Sequence, residues 1–226
     1  MSLILNIDTA SENAHASLAE DGMVLHALHN ESQKDHASFL QTAIQQLTMS
    51  ANIHLKDIDA VAVTAGPGSY TGLRVGMASA KGLCYALKKP LITIGTLEVL
   101  TASALEFFPD DNENILFCPM IDARRMEVFT AVYKHDLTIC QQPCAMILDE
   151  FSFEKELLIN KIVFFGSGSA KWKIICKHEN AIFKPVSILP KSLSKSTIAL
   201  FFEKKFTELA YSEPTYLKEF QSVIKN

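Results

Sequence analysis

The sequence predicts an α/β protein made of two similar units, each running β-β-β-α-β-α. Three observations predict it. The first 108 residues read as three strands followed by alternating helices and strands. The order then begins again at residue 115, where ILFCPMIDA runs apolar to Asp122 as LILNIDTA (residues 3–10) runs apolar to Asp8. Between the two stands PDDNEN, residues 109–114, polar and charged enough for a linker. The units are therefore placed at 1–108 and 109–226, with a last helix at 196–210 that packs back on the first unit.

Each element follows from local chemistry. After the strand at 3–10, AHASLAE (residues 14–20) and MVLHALHN (residues 23–30) flank Asp21-Gly22, a hairpin signal. Phe39, Leu40, Ala43, Ile44 and Leu47 recur at helical spacing over residues 36–52. AVAVTA (residues 60–65) is a short buried strand, followed by a glycine-rich turn and a helix over residues 69–87. PLITIG (residues 90–95) is the next strand, and Thr96 caps the helix after it. In the second unit, strands are expected over 115–123, 126–134, 136–148 and 161–166, with a short strand near 182–184. Short helices fall near 150–158 and from about residue 170.

Composition narrows the function. The 226 residues carry a net charge of −4, which argues against a chain that grips nucleic acid by a concentrated basic face of its own. The first eight residues lack a basic leader region, and no apolar run reaches the length of a membrane span, so a cytoplasmic location is expected. Five cysteines with no C-x-x-C spacing read as reduced thiols.

The stretch TAGPGSYTGLRVGMASAKGL (residues 64–83) raises two readings. A nucleotide loop needs Gly-Lys-Ser/Thr at a set distance, or a third glycine three residues after Gly68; Thr71 stands there and Gly72 comes one late. A generic anion site with Ser69 as N-cap remains open, as does a plain turn with positive φ at Gly66 or Gly68. In the helix beyond, Gly72, Gly76 and Ala80 form one small-residue stripe and Ala78, Gly82 and Ala86 another. One stripe can pack on the chain's own sheet, and the other then needs either the helix at 36–52 or another subunit. At residues 122–125, DARR either meets phosphate or RNA through Arg124 and Arg125 or pairs them with Asp122 or Glu127.

LNIDTA, GPGSYTGLRVG (residues 66–76), IDARRMEVF (residues 121–129) and EPTYLKEF (residues 213–220) together resemble the bacterial TsaB (YeaZ) family, which helps make threonylcarbamoyladenosine in tRNA. The departures are Ala10, Met126 and Lys218, where the family more often has Ser, Gly and Arg. The resemblance implies the duplicated fold of actin, Hsp70 and sugar kinases (ASKHA). It also implies a non-catalytic subunit that pairs with the catalytic paralogue TsaD, works with the ATPase TsaE, and meets tRNA only through the complex. No metal is expected, because none of His15, His26, His29, His36, His54, His135 and His178 pairs at the His-x-x-x-His spacing of the catalytic paralogue. Nor is a cofactor, beyond weak or interface-dependent ATP or ADP at an inherited site formed by Asp8, Gly66, Gly68, Ser69, Gly166 and Gly168. The partner interface, used for a homodimer in isolation, is placed on His36, Phe39, Leu40, Ala43 and Leu47 of one helix and Tyr70, Leu73, Gly76, Met77 and Ala80 of the next. The alternative is an ATP-dependent small-molecule kinase of the same fold, with Asp8 as its metal-holding carboxylate.

Overall fold

The computed structural model describes residues 1–11, 13–30, 36–109 and 115–218, so most of the linker at 109–114 and the end of the 213–220 motif lie outside the described residues. Strands β1 (Leu3–Asp8), β2 (Ala14–Glu20) and β3 (Met23–Asn30) form an antiparallel meander, with Leu3 opposite Glu20 and Asp8 opposite His15. The β2–β3 turn holds Asp21 and Gly22 at φ 47° and 82°, the left-handed geometry that an Asp-Gly pair favours. Helix α1 (His36–Ser50) leads to β4 (Ala60–Thr64), which pairs parallel with β1. Helix α2 (Tyr70–Leu87), β5 (Leu91–Ile94) and α3 (Thr96–Leu105) complete the first half.

The second half repeats this plan. Strands β6 (Ile115–Asp122), β7 (Glu127–Tyr133) and β8 (Ile139–Ile147) are antiparallel neighbours. Helix α4 (Glu154–Leu157), β9 (Lys161–Phe165), α5 (Ser169–Lys173), β10 (Ala181–Phe183) and α6 (Pro190–Phe202) follow. The sheet orders are β3-β2-β1-β4-β5 and, read in the same sense, β8-β7-β6-β9-β10, so the duplication predicted from the sequence is present in the topology. The architecture is that of the duplicated α/β fold.

Alternation along each strand sets what its two faces meet. Leu5 and Ile7 pack with Val61 and Val63 against α1 and α2, while Ile4, Ala60, Ala62 and Ile92 meet Ile198 and Phe201 of α6. In the second sheet, Phe164 and Met120 pack with Trp172 of α5, and Phe117, Ile121 and Phe165 pack with Leu97 and Leu100 of α3. The halves thus exchange their last helices, and α3 and α6 touch each other between the sheets.

Two details differ from the sequence expectation. The last helix runs from Pro190 to Phe202 rather than over 196–210, because Pro190 suits the first helical turn and Lys204 already stands at φ 55°. At α3 the cap position is held by Gly95; Thr96 is the first helical residue, its amide donates to the Gly66 carbonyl at 2.9 Å, and its hydroxyl caps nothing.

Candidate functional site

The site is built where β1 ends against the start of α2. Asp8 is fully buried; its Oδ1 accepts from the Thr64 hydroxyl at 2.6 Å and from the Ala10 amide at 3.1 Å. Among the described residues its Oδ2 has no hydrogen-bond partner, although Nδ1 of His15 comes within 3.5 Å across the β1–β2 pair. Burial lowers the His15 pKa, opposed in part by the Asp8 carboxylate and reinforced by His29. Burial thus disfavours the charged form of the imidazole at this contact.

The glycine stretch packs tightly against this strand end. A Cβ at Gly68 would run into the Ala10 carbonyl, one at Gly72 into the Thr9 carbonyl, and one at Gly76 into the Thr9 hydroxyl. In place of those side chains, the Ser69 amide donates to the Ala10 carbonyl at 2.7 Å and the Thr9 hydroxyl to the Gly72 carbonyl at 2.7 Å. Ser69 is the N-cap of α2, its hydroxyl accepting from the Gly72 amide at 3.3 Å. Gly66 carries the positive φ, 114°, and lies under the C-terminal segment: a Cβ there would stand 2.6 Å from the Thr215 carbonyl. That segment is pinned by the Thr215 amide on the Ala65 carbonyl at 2.7 Å. Tyr216 then stacks on Tyr70 at 5.3 Å and accepts from Arg74 Nε at 3.2 Å, and Lys81 holds the Ser212 carbonyl at 2.8 Å.

Gly166 and Gly168 play the matching part in the second half, approaching the Met120 carbonyl and the Ile121–Asp122 backbone. All six residues expected at a nucleotide site thus lie at strand ends packed by this chain's own backbone. Asp8, Gly66, Gly68 and Ser69 come together at β1; Gly166 and Gly168 stand at β6. Among the described residues no group of three or more His, Cys, Asp or Glu side chains gathers as a metal site. The larger cleft, about 830 Å³ and lined by Phe151, Leu157, Cys176 and His178 among others, shares no residue with either strand end.

The interface residues divide. Leu40, Ala43, Leu47, Met77 and Ala80 are at most 3% exposed and sit in the core between the first sheet and α1 and α2. Leu73, 1% exposed, is buried beside Gly66, and Gly76 and His36 are buried too. Buried there, these residues are corrected as members of a partner interface: the Gly72–Gly76–Ala80 stripe is the one that packs on β1 and β4. Phe39 and Tyr70 are half-buried. The second stripe, Ala78, Gly82 and Ala86, faces solvent beside exposed Tyr85, and a Cβ on Gly82 would meet nothing within 4 Å. A groove of about 370 Å³ between α1 and α2, lined by Gln41, Gln45 and Leu83 among others, opens on the same pair of helices.

At the second strand end, Asp122 and Glu127 are occupied by lysines rather than by Arg124 and Arg125. Lys171 Nζ stands 3.3 Å from Asp122 Oδ2, and Lys218 Nζ is 2.8 Å from Glu127 Oε2. Neither lysine was expected as a partner here, nor were Thr9, His15 and Thr64 expected at the first strand end, and no local pattern in the sequence marks any of them for these roles.

Comparisons with known proteins bear on the chain's family and fold. A family model described as TsaD, tRNA N6-adenosine threonylcarbamoyltransferase, matches residues 28–223. The chain is 29% identical over 222 residues to the Escherichia coli tRNA threonylcarbamoyladenosine biosynthesis protein TsaB, covering 95% of this chain and 94% of that one. Its structure is similar to that of YeaZ from Pseudomonas aeruginosa, at TM-score 0.76 and 22% identity, over 96% of this chain and all of the other. It is also similar in fold to an inorganic polyphosphate/ATP-glucomannokinase from Arthrobacter, at TM-score 0.52 and 10% identity, over 89% of this chain and all of that one. Among the described residues no helix is long and apolar enough to cross a membrane.

Proposed function

We propose a role for this chain in making threonylcarbamoyladenosine in tRNA, on the premise that it belongs to the TsaD-type family and is related along nearly its whole length to TsaB. It acts there as a non-catalytic subunit that docks on a TsaD-type paralogue and carries no turnover of its own. A TsaE-type ATPase joins the pair, tRNA is met through the assembly, and the free chain self-associates through the same face. The observation that supports this most is the division of α2 into two small-residue stripes. The inner one is filled by Thr9, so the turn that would cradle phosphate in a kinase packs strand β1 instead. The outer one keeps Gly82 in open space. A glycine inside a helix costs up to about 1 kcal/mol relative to alanine, and nothing among the described residues offsets it there. A second helix pair approaching to roughly 8 Å would.

The test replaces Ala78 and Gly82, singly, by leucine and mixes each variant with a purified TsaD-type partner on a size-exclusion column. Overpacking a close contact costs about 1–3 kcal/mol. Both variants are expected to fold as the parent does by circular dichroism and to lose the partner. Full complex formation by both would remove the outer stripe from the interface. Robust ATP turnover by the isolated chain, lost on Asp8→Asn, would replace the subunit reading with a kinase.

A further inference from the structure

We propose that the β6–β7 hairpin is an RNA-backbone contact, in which Arg124 and Arg125 grip phosphates. The inference rests on the tRNA-modifying role above and adds a surface to it. Both arginines are exposed at the hairpin tip. Both hold positive φ, 71° and 47°, in the left-handed region where glycine or asparagine is at ease and a long side chain is strained. Turn chemistry therefore argues against arginine at either position.

Ion pairing does not account for them either. Asp122 Oδ1 accepts from the Arg124 amide at 2.6 Å, and its Oδ2 faces Lys171. Glu127 receives Lys218 on both oxygens, at 2.8 and 3.0 Å, and its carbonyl receives Lys171 at 2.6 Å. Among the described residues neither guanidinium has a hydrogen-bond, ion-pair or ring partner. With Arg124, Arg125, Lys171 and Lys218 set against Asp122 and Glu127, the tip is positive on a chain whose net charge is −4.

Strain retained at an exposed, unpaired position signals a ligand. Two adjacent planar forks match phosphate oxygens bidentately. Standing side by side on an open hairpin, they suit successive phosphates of a strand better than one small anion, which needs an enclosing wall. The acidic remainder of the surface keeps this contact weak in the free chain and lets it act within an assembly.

The test uses the full chain, alone and mixed with a TsaD-type partner, against an unmodified tRNA transcript over a range of KCl. The double variant Arg124→Asn/Arg125→Asn relieves the turn and removes both charges. It should melt at or above the parent temperature, bind tRNA on the order of tenfold more weakly near 0.15 M salt, and lower the salt slope by about 1 for each arginine. Arg124→Lys/Arg125→Lys should restore most of the slope. Unchanged affinity and slope in the asparagine variant would overturn the proposal, as would a parent chain that binds no tRNA in either state. A variant that loses stability and binding together, with no rescue by lysine, would overturn it too. Size exclusion reads the partner separately. A complex that forms while tRNA binding is unchanged removes the hairpin contact alone; a changed slope in a chain that forms no complex keeps the contact and removes the partner.

Discussion

The ends of β1 and β6 are built alike and finished differently. At each, an aspartate closes a turn on the amide two residues later: Asp8 on Ala10 at 3.1 Å, Asp122 on Arg124 at 2.6 Å. Each is approached by a glycine-rich turn that follows a parallel strand. The difference lies in what covers the turn. The 18-residue α2 seals the first, and Asp8 is fully buried; five-residue α5 leaves Asp122 with 47% of its side chain in solvent. Small residues after Asp8 permit that seal, whereas arginines after Asp122 prevent it. One end has become core and the other surface, and only a surface end is available to a ligand as the molecule stands.

Substitutions at the two ends should expose this difference, the largest effect coming first. Gly72→Ala sets a methyl against the Thr9 carbonyl, which is backbone in a central strand end and cannot rotate away. It should cost at least about 3 kcal/mol and lower the thermal midpoint by roughly 6–12 °C. Gly168→Ala first meets Val128 Cγ1, the end of a side chain, at 2.7 Å and should cost about 1–2 kcal/mol. Equal losses in thermal melts of the two variants would mean that both ends are equally closed. The carboxylates should divide in the same direction. Asp8→Asn weakens two buried hydrogen bonds at a cost of about 2–3 kcal/mol. Asp122→Asn removes an exposed pair with Lys171 worth less than about 1 kcal/mol. Urea unfolding of both proteins measures the gap.

Much of this was legible in the sequence, and the exceptions share a cause. Apolar runs, the Asp21-Gly22 turn and the Ser69 cap are local signals, and the strands and helices they predict are in place. Which stripe of α2 faces inward is not a local property. Gly72–Gly76–Ala80 and Ala78–Gly82–Ala86 have the same spacing and similar sizes, and only the position of Thr9, more than sixty residues earlier, separates them. The pairing of Asp122 and Glu127 with Lys171 and Lys218 likewise depends on residues brought from far along the chain. The last helix was displaced for a different reason: its first turn, Pro-Lys-Ser-Leu, is polar enough to hide the start that Pro190 marks.

The buried end also carries a pH dependence. His15 faces Asp8 and His29 and lies within the first sheet. Its pKa is lowered in the folded chain, chiefly by burial. Between that lowered value and the ordinary value near 6.5, the unfolded chain binds more protons than the folded one. The contribution is fully present above about 6.5 and is lost as pH falls through this window, by at most about 1.4 kcal/mol per pH unit. His15→Gln should flatten the midpoint-against-pH curve below pH 6.5. A parent curve that is flat from pH 7 to 5 would contradict the assignment.

The smallest expected effect tests the outer side of α2, a surface that short α5 does not duplicate. Gly82 is exposed, with nothing within 4 Å of where its Cβ would stand. In a helix that serves only the fold, Gly82→Ala can only help, by up to about 1 kcal/mol, or roughly 2–4 °C in midpoint for a chain of this size. The isolated protein, melted at a concentration low enough to be monomeric, should show that gain. Titrating it with a TsaD-type partner should show the opposite sign, because a methyl between closely approaching helices costs more than the propensity it restores. Gain in both measurements would leave Gly82 without a role in docking. The proposed interface would then have to lie elsewhere on the first half, and the opposition between a closed inner stripe and an open outer one would be a matter of folding alone.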